Sequence, residues 1–278
     1  MHIKLKKALK ATLLIMLVVW ISLYIGIQFL EPSNDRDWVE YEKTLAFADI
    51  YDTGVHIYNI RNFRYQSEED YTAGYYDKIF LLDSLKSVDY VVEPFTGYKG
   101  AAHVFVSFGF DNGEYVSISV EIRKERGETF SVLAGILRQF EIIYVIADER
   151  DIIDLRANIR KDPVRIYPIK ATRDQARTMF LSMLRRANHL VSHPEFYNTL
   201  TNNCALNVIQ HANQIVDEPI PYGYKVFFPA FSGRLAYQLG MIDTDLTFVE
   251  AKAKFLINQR AERYRGHPDF SLKIRGHP

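Results

Sequence analysis

Residues 103–123 read HVFVSFGFDNGEYVSISVEIR, two alternating apolar and polar runs joined by turn residues. Side chains on a strand point to opposite faces in turn, so the alternation predicts a β-hairpin with one apolar face. Asp111-Asn112-Gly113 fits a three-residue loop with Gly113 in the left-handed position. That loop pairs Phe110 with Glu114 and, counted back along both strands, His103 with Glu121. One face then shows Val104, Val106, Phe108, Phe110, Val116, Ile118 and Val120. The other shows His103, Phe105, Ser107, Ser117, Ser119, Glu121 and Arg123, and is partly polar.

Outward from the hairpin, further strands are expected around Phe47, at Val55–Ile60, Lys78–Leu82, Tyr90–Val92, Phe140–Ala147 and Val164–Ile169. The charged segment DERDIIDLRANIRKD separates the last two. Helical spacing follows. Thr172 caps a helix whose buried face is Ala176, Met179, Phe180, Met183, Leu184 and Ala187, closed by Pro194. A second helix runs from about Asn203 to Val216, and a last one from about Phe248 to Tyr264. The fold class is α+β, an antiparallel sheet packed with helices.

At the amino terminus Lys4, Lys6, Lys7 and Lys10 precede ATLLIMLVVWISLYIGIQFL, 20 uncharged residues. At ~1.5 Å per residue this stretch matches a bilayer's hydrocarbon thickness, and the lysines before it keep the amino terminus cytoplasmic. The expected division is a basic cytoplasmic segment (1–10), a transmembrane anchor (11–30) and an outer domain (31–278), placing the protein in a bacterial inner membrane as a single-pass protein facing the periplasm. A cleaved signal peptide, the other reading of such a start, needs a shorter apolar run and a small-residue cleavage site. With 34 basic and 34 acidic residues and no basic face, nucleic acid is excluded as a partner.

The single cysteine, Cys204, has no intramolecular disulfide partner in an oxidising compartment. It falls in the first turn of its helix, behind Asn202 and Asn203, either of which can cap the helix or serve an oxyanion. The helix dipole favours a thiolate there. Of eight histidines, His211 is too far along the same helix to serve the thiol, and His2 is cytoplasmic. His189 and His193 have metal-compatible spacing, but Pro194 interrupts the helix and no third ligand is near, so neither metal nor other cofactor is expected. His103 remains as base, with Glu121 orienting it. The bland alternative is a buried cysteine and an ordinary cross-strand pair.

NIRNFRY, AHVFVSFGF, SVEIRKERGE, EIIYVIADERD, PEFYNTLTNNCALNVI and DFSLKIR together resemble the Lnb-type periplasmic domain family, over nearly everything after the anchor. The resemblance implies a permuted papain-like fold of the NlpC/P60 kind, with the histidine strand ahead of the cysteine helix. It also implies acyl transfer from a phospholipid through the cysteine to a lipoprotein amino terminus. The family's histidine and cysteine fall on His103 and Cys204, and Glu121 lies in the matching SVEIR segment. The acyltransferase for which the family is named carries further membrane-embedded sequence after this domain, and none follows here before Pro278. Thiol acyl chemistry is therefore the broad expectation, and lipoprotein transfer the narrow one. Arg123 and Arg64 are candidate phosphate contacts. A cell-wall peptidase or amidase with the same pair, or a binding module without catalysis, are the alternatives: lipid transfer calls for an apolar groove, amidase action for a polar cleft.

Overall fold

The computed structural model describes residues 2–277; the expectations placed on the side chains of His2 and Lys4 and on Pro278 lie outside it. Helix α1 (His2–Gln28) is followed by α2 (Glu40–Lys43) and by strands β1 (Phe47–Ile50), β2 (Gly54–Arg61), β3 (Arg64–Tyr65), β4 (Tyr71–Thr72), β5 (Tyr75–Leu81), β6 (Leu85–Pro94), β7 (Ala102–Phe110) and β8 (Tyr115–Arg123). Then come α3 (Val132–Ile136), β9 (Glu141–Asp148), α4 (Glu149–Asp154) with a π-helical turn over Leu155–Ile159, and β10 (Arg165–Pro168). The rest is helical: α5 (Arg173–Ser192), α6 (Cys204–Ala212), α7 (Tyr224–Phe227), α8 (Ser232–Gln238), α9 (Phe248–Lys254), α10 (Asn258–Arg263) and α11 (Phe270–Arg275).

Eight strands form one sheet in the order β1-β2-β9-β8-β7-β6-β10, with β5 also on β2; β3 and β4 pair separately. Every pairing is antiparallel except a single parallel contact, Arg61 with Ala147. The hairpin has the register its turn chemistry sets. Gly113 has φ +82°, Phe110 N–H donates to Glu114 O at 2.9 Å, and Phe105 lies opposite Ser119. Beyond that pair the β7–β8 ladder stops, so His103 and Glu121 are neighbours across a widening gap.

Both faces of the sheet are covered. Val106, Phe108, Val116, Ile118 and Ile142 pack against α5 and α6 in the larger core. The polar face is as dry: Phe105, Ser107, Ser117 and Ser119 are fully buried beneath α4, α10 and α11, whose Ile152, Ile153, Ala261, Phe270 and Ile274 make a second core. The partly polar face is buried because the last third of the chain folds back over it.

Helix α5 begins in a capping box between Thr172 and Gln175 and buries the expected face. Helix α6 ends at Ala212, one turn short of Val216. The expected last helix is broken into α9 and α10 because backbone between them serves β10: Ile166 N–H donates to Phe255 O and Ile257 N–H to Val164 O. These bonds, with Asp243 N–H donating to Pro168 O, occupy the outer side of the edge strand. Of the described residues, α1 alone is long and apolar enough to cross a membrane, with mean hydropathy 2.1 over Leu9–Gln28 and none of that window buried.

Candidate active site

His103 is the second residue of β7 and Glu121 lies two residues before the end of β8, both on the face covered by α4. The imidazole Nε2 lies 3.6 Å from Glu121 Oε1, beyond hydrogen-bonding distance. Ser119 fills the gap. Its Oγ stands 2.6 Å from His103 Nε2 and donates to Glu121 Oε1 at 2.7 Å. The hydroxyl has one proton, and Glu121 receives it, so Nε2 must donate to Ser119 and Nδ1 carries the lone pair of a neutral ring. The expected direct carboxylate–imidazole contact is thus corrected to a three-member relay. Ser119 reaches across the gap because it sits one same-face position inside Glu121, at the last paired rung.

A guanidinium anchors the relay. Arg156 Nη2 donates to Glu121 Oε1 at 2.8 Å, its Nη1 to Ile152 O at 3.1 Å, and its guanidinium covers the Phe105 ring that His103 stacks on. Its Nε approaches Glu93 Oε2 at 2.7 Å, but off the hydrogen-bonding direction, leaving Nε and both Glu93 oxygens without hydrogen bonds. Glu93 is opposite His103 on β6, and burial pushes it up to about 7 against the pull of Arg156. Burial and the Arg156 charge push His103 down to about 3, so the ring is neutral at physiological pH. Glu121 is held well below the usual carboxylate range: burial opposes ionisation, but Arg156 and His103 outweigh it.

Cys204 is the first residue of α6. Asn203 caps the helix by accepting from Leu206 N–H at 3.0 Å, and its amide donates to Thr199 O. Asn202 donates to Phe196 O and accepts from Asn207. Both asparagine amides donate to loop carbonyls, and the cap role goes to Asn203. Around the half-buried thiol, the backbone N–H groups of Val104 and Ala205 point at the sulfur and lower its pKa, as does that of Cys204 itself. The expected thiolate does not result. Burial prevails and raises the thiol to about 11, with Glu121 adding to the rise. The Val104 N–H belongs to the peptide joining it to His103, so the sulfur is beside the histidine's own backbone. No hydrogen bond links Cys204 to His103 among the described residues.

An apolar cavity runs along α6 and is lined by Ala205, the neighbour of Cys204; its volume of about 660 Å³ includes open solvent. Ala205, Val208, Ile209 and Ala212 supply one wall along α6, and Val88, Val106, Leu235 and Met241 face them. The polar side chains among its lining, Tyr90 and Ser232, are hydrogen-bonded to each other at 2.7 Å.

The other nominated residues lie elsewhere. Arg123 is no phosphate contact: buried, it donates to Glu42 O, Lys43 O and Asn34 Oδ1 and covers the Trp38 ring at 4.3 Å. Arg64 is exposed on the β3–β4 hairpin, its guanidinium at 3.5 Å from Phe63 O. His211 is held between Ser182 Oγ and Tyr144 OH, both at 2.8 Å, and His189 stacks on His193. Sequence reasoning missed Arg156, Glu93 and the role of Ser119. Arg156 was hidden in a segment read as a charged linker, where Asp148 as cap and Ile152, Ile153 and Leu155 as apolar positions are the helix signal.

Compared with known proteins, the chain matches the family model described as the Lnb N-terminal periplasmic domain over residues 35–228. No curated protein and no solved structure matches it.

Proposed function

The chain belongs to the Lnb N-terminal periplasmic domain family, and we propose that it is a membrane-tethered thiol acyltransferase that takes an acyl chain from a phospholipid. The observation that carries this reading is the apolar cavity along α6, whose lining includes Ala205, the residue after Cys204. A peptide-cleaving enzyme needs polar partners for its substrate's amides. This cavity offers an acyl chain a wall of methyl groups. The order of histidine strand before cysteine helix fits the permuted papain-like arrangement implied for the family.

In the proposed reaction the resting pair is neutral. As the sulfur attacks the ester carbonyl, the thiol proton passes to His103 Nδ1, and Nε2–H stays on Ser119. Glu121, kept ionised by Arg156, stabilises the imidazolium through that hydroxyl. Collapse of the tetrahedral species breaks the ester C–O bond. The lysophospholipid oxygen takes the proton from Nδ1, leaving a thioester on Cys204. An amine, the lipoprotein amino terminus in the reading the family implies, then attacks the thioester and restores the thiol. Backbone N–H groups at the start of α6 supply positive dipoles at the reacting carbonyl.

Full-length protein mixed with phospholipid vesicles and quenched in acid should gain the mass of one acyl chain. Hydroxylamine should release the chain, and Cys204→Ala should never acquire it. A wild-type thiol that stays unmodified with every phospholipid offered, yet alkylates normally once unfolded, would sink the proposal.

A further inference from the structure

β6 and β8 end, and β7 and β9 begin, at one end of the sheet. The β6–β7 and β8–β9 connections therefore emerge together there, beside the site. Both expose large apolar side chains: Tyr98 is 72% exposed in the first, and Val132 and Leu133 are 58% and 63% exposed in the second. Two further segments join them. Leu200 is exposed next to Thr199, whose hydroxyl donates to Val132 O, and Phe228, exposed with Phe227, packs over Gly100. Such a grouping of exposed apolar and aromatic groups marks an interaction surface.

The chain leaves α1 at this same end. Arg138 Nη1 donates to Gln28 O at 3.3 Å, Ser33 N–H donates to Glu141 Oε1 at 3.1 Å, and Asn34 donates to Leu190 O and Val191 O. Five residues from Gln28 to Ser33 extend to at most ~18 Å, so this end cannot stand far from wherever α1 stops. At the opposite end of β7, about 30 Å away by strand rise, the hairpin turn is Asp111-Asn112-Gly113 and its neighbour Asp83-Ser84 is polar too, with Leu81 the exposed apolar side chain beside it.

We infer that the end of the sheet carrying Tyr98, Val132, Leu133, Leu200, Phe227 and Phe228 rests in the headgroup layer of the bilayer that α1 crosses, with phospholipid as its partner. Tyrosine and phenylalanine beside aliphatic side chains suit that layer, where one side is apolar and the other wet. The domain thereby presents Cys204 to the membrane surface. The inference rests on α1 spanning the membrane and is independent of any chemistry at the thiol.

The test uses the full chain in phospholipid nanodiscs, with a photoreactive phenylalanine analogue at Leu133, Phe228 or Asn112, alike in the wild type and in Cys204→Ala. Crosslinked lipid at Leu133 and Phe228 should exceed that at Asn112 at least tenfold in both backgrounds. Equal yields at the three positions, adducts to a second copy or another protein at Leu133 and Phe228, or release of the chain from membranes by carbonate would each overturn it. Loss of acyl transfer with the crosslinks intact would count against the proposed reaction alone.

Discussion

Two clusters of carboxylate, hydroxyl and arginine lie on one face of the central strands, four residues apart on each. In the inner cluster Asp89, Ser107 and Ser117 meet Glu149 and Arg275; in the outer one Glu93, His103 and Glu121 meet Ser119 and Arg156. The inner cluster is closed. Ser107 donates to Glu149, Ser117 to Ser107 at 3.2 Å, and Arg275 grips both Glu149 oxygens and Asp89 while lying 3.6 Å over the Tyr115 ring. The outer cluster ends in an imidazole with a free lone pair and leaves Glu93 without hydrogen bonds. Similar materials thus make a structural lock where every group is satisfied and, in the proposed reaction, a proton-handling device where one is withheld. Unsatisfied polar atoms and displaced pKa values concentrate where function is expected.

The comparison breaks most easily at His103. His103→Ala should slow single-turnover acylation of Cys204 by ~10²–10⁴-fold, with unfolding by denaturant changed by less than about 1 kcal/mol. The inner cluster should show the reverse. Arg275→Met leaves Glu149 and Asp89 buried without their cation and should cost about 3–5 kcal/mol of stability, while the rate per folded molecule holds. Equal losses of rate in the two variants would end the distinction. The hydroxyls sharpen it further: Ser119→Ala should lower the rate roughly ten- to a hundredfold, as about 1–3 kcal/mol of lost hydrogen bonding requires, whereas Ser117→Ala should touch stability alone.

The comparison also extends to pH. His103, held down to about 3, and His211, held down to about 4, take up protons in the unfolded chain near the ordinary imidazole value of 6.5 before they do so in the folded one. Their stabilisation is present above about 6.5 and is lost as pH falls toward those lower values. Denaturant midpoints should fall across that window, and His103→Gln should flatten part of the fall. On the alkaline side, alkylation of Cys204 should rise about tenfold per pH unit through neutrality toward about 11. A plateau near 8.5 would contradict the burial of the thiol.

Much of this was legible in residues. Strict alternation around Asp111-Asn112-Gly113 fixed the hairpin and its register, and the spacing of Ala176, Met179, Phe180 and Met183 fixed α5. The cap could be narrowed to Asn202 or Asn203 because their type and their place before an apolar helix agree. What stayed hidden is what long-range burial decides. No local pattern says that α11 covers the polar face, that Cys204 is buried enough for desolvation to outweigh the helix dipole and the Val104 N–H, or that Arg123 is sealed beneath α2. Arg156 reaches Glu121 across 35 positions, and its helix was obscured because charges alternate with the few apolar residues that hold it down.

The covered edge at β10 bears on how many copies the membrane can carry. A tethered protein is confined to two dimensions, where copies meet far more often than at the same number in solution. A bare strand edge in that setting templates pairing between chains. Here the edge strand is four residues long, ends in Pro168, and has its outer groups taken by Phe255 and Asp243. The segment after residue 228, beyond the matched domain, therefore covers this edge, and if α1 tethers the chain, shortening that segment should show first as clustering in the membrane plane.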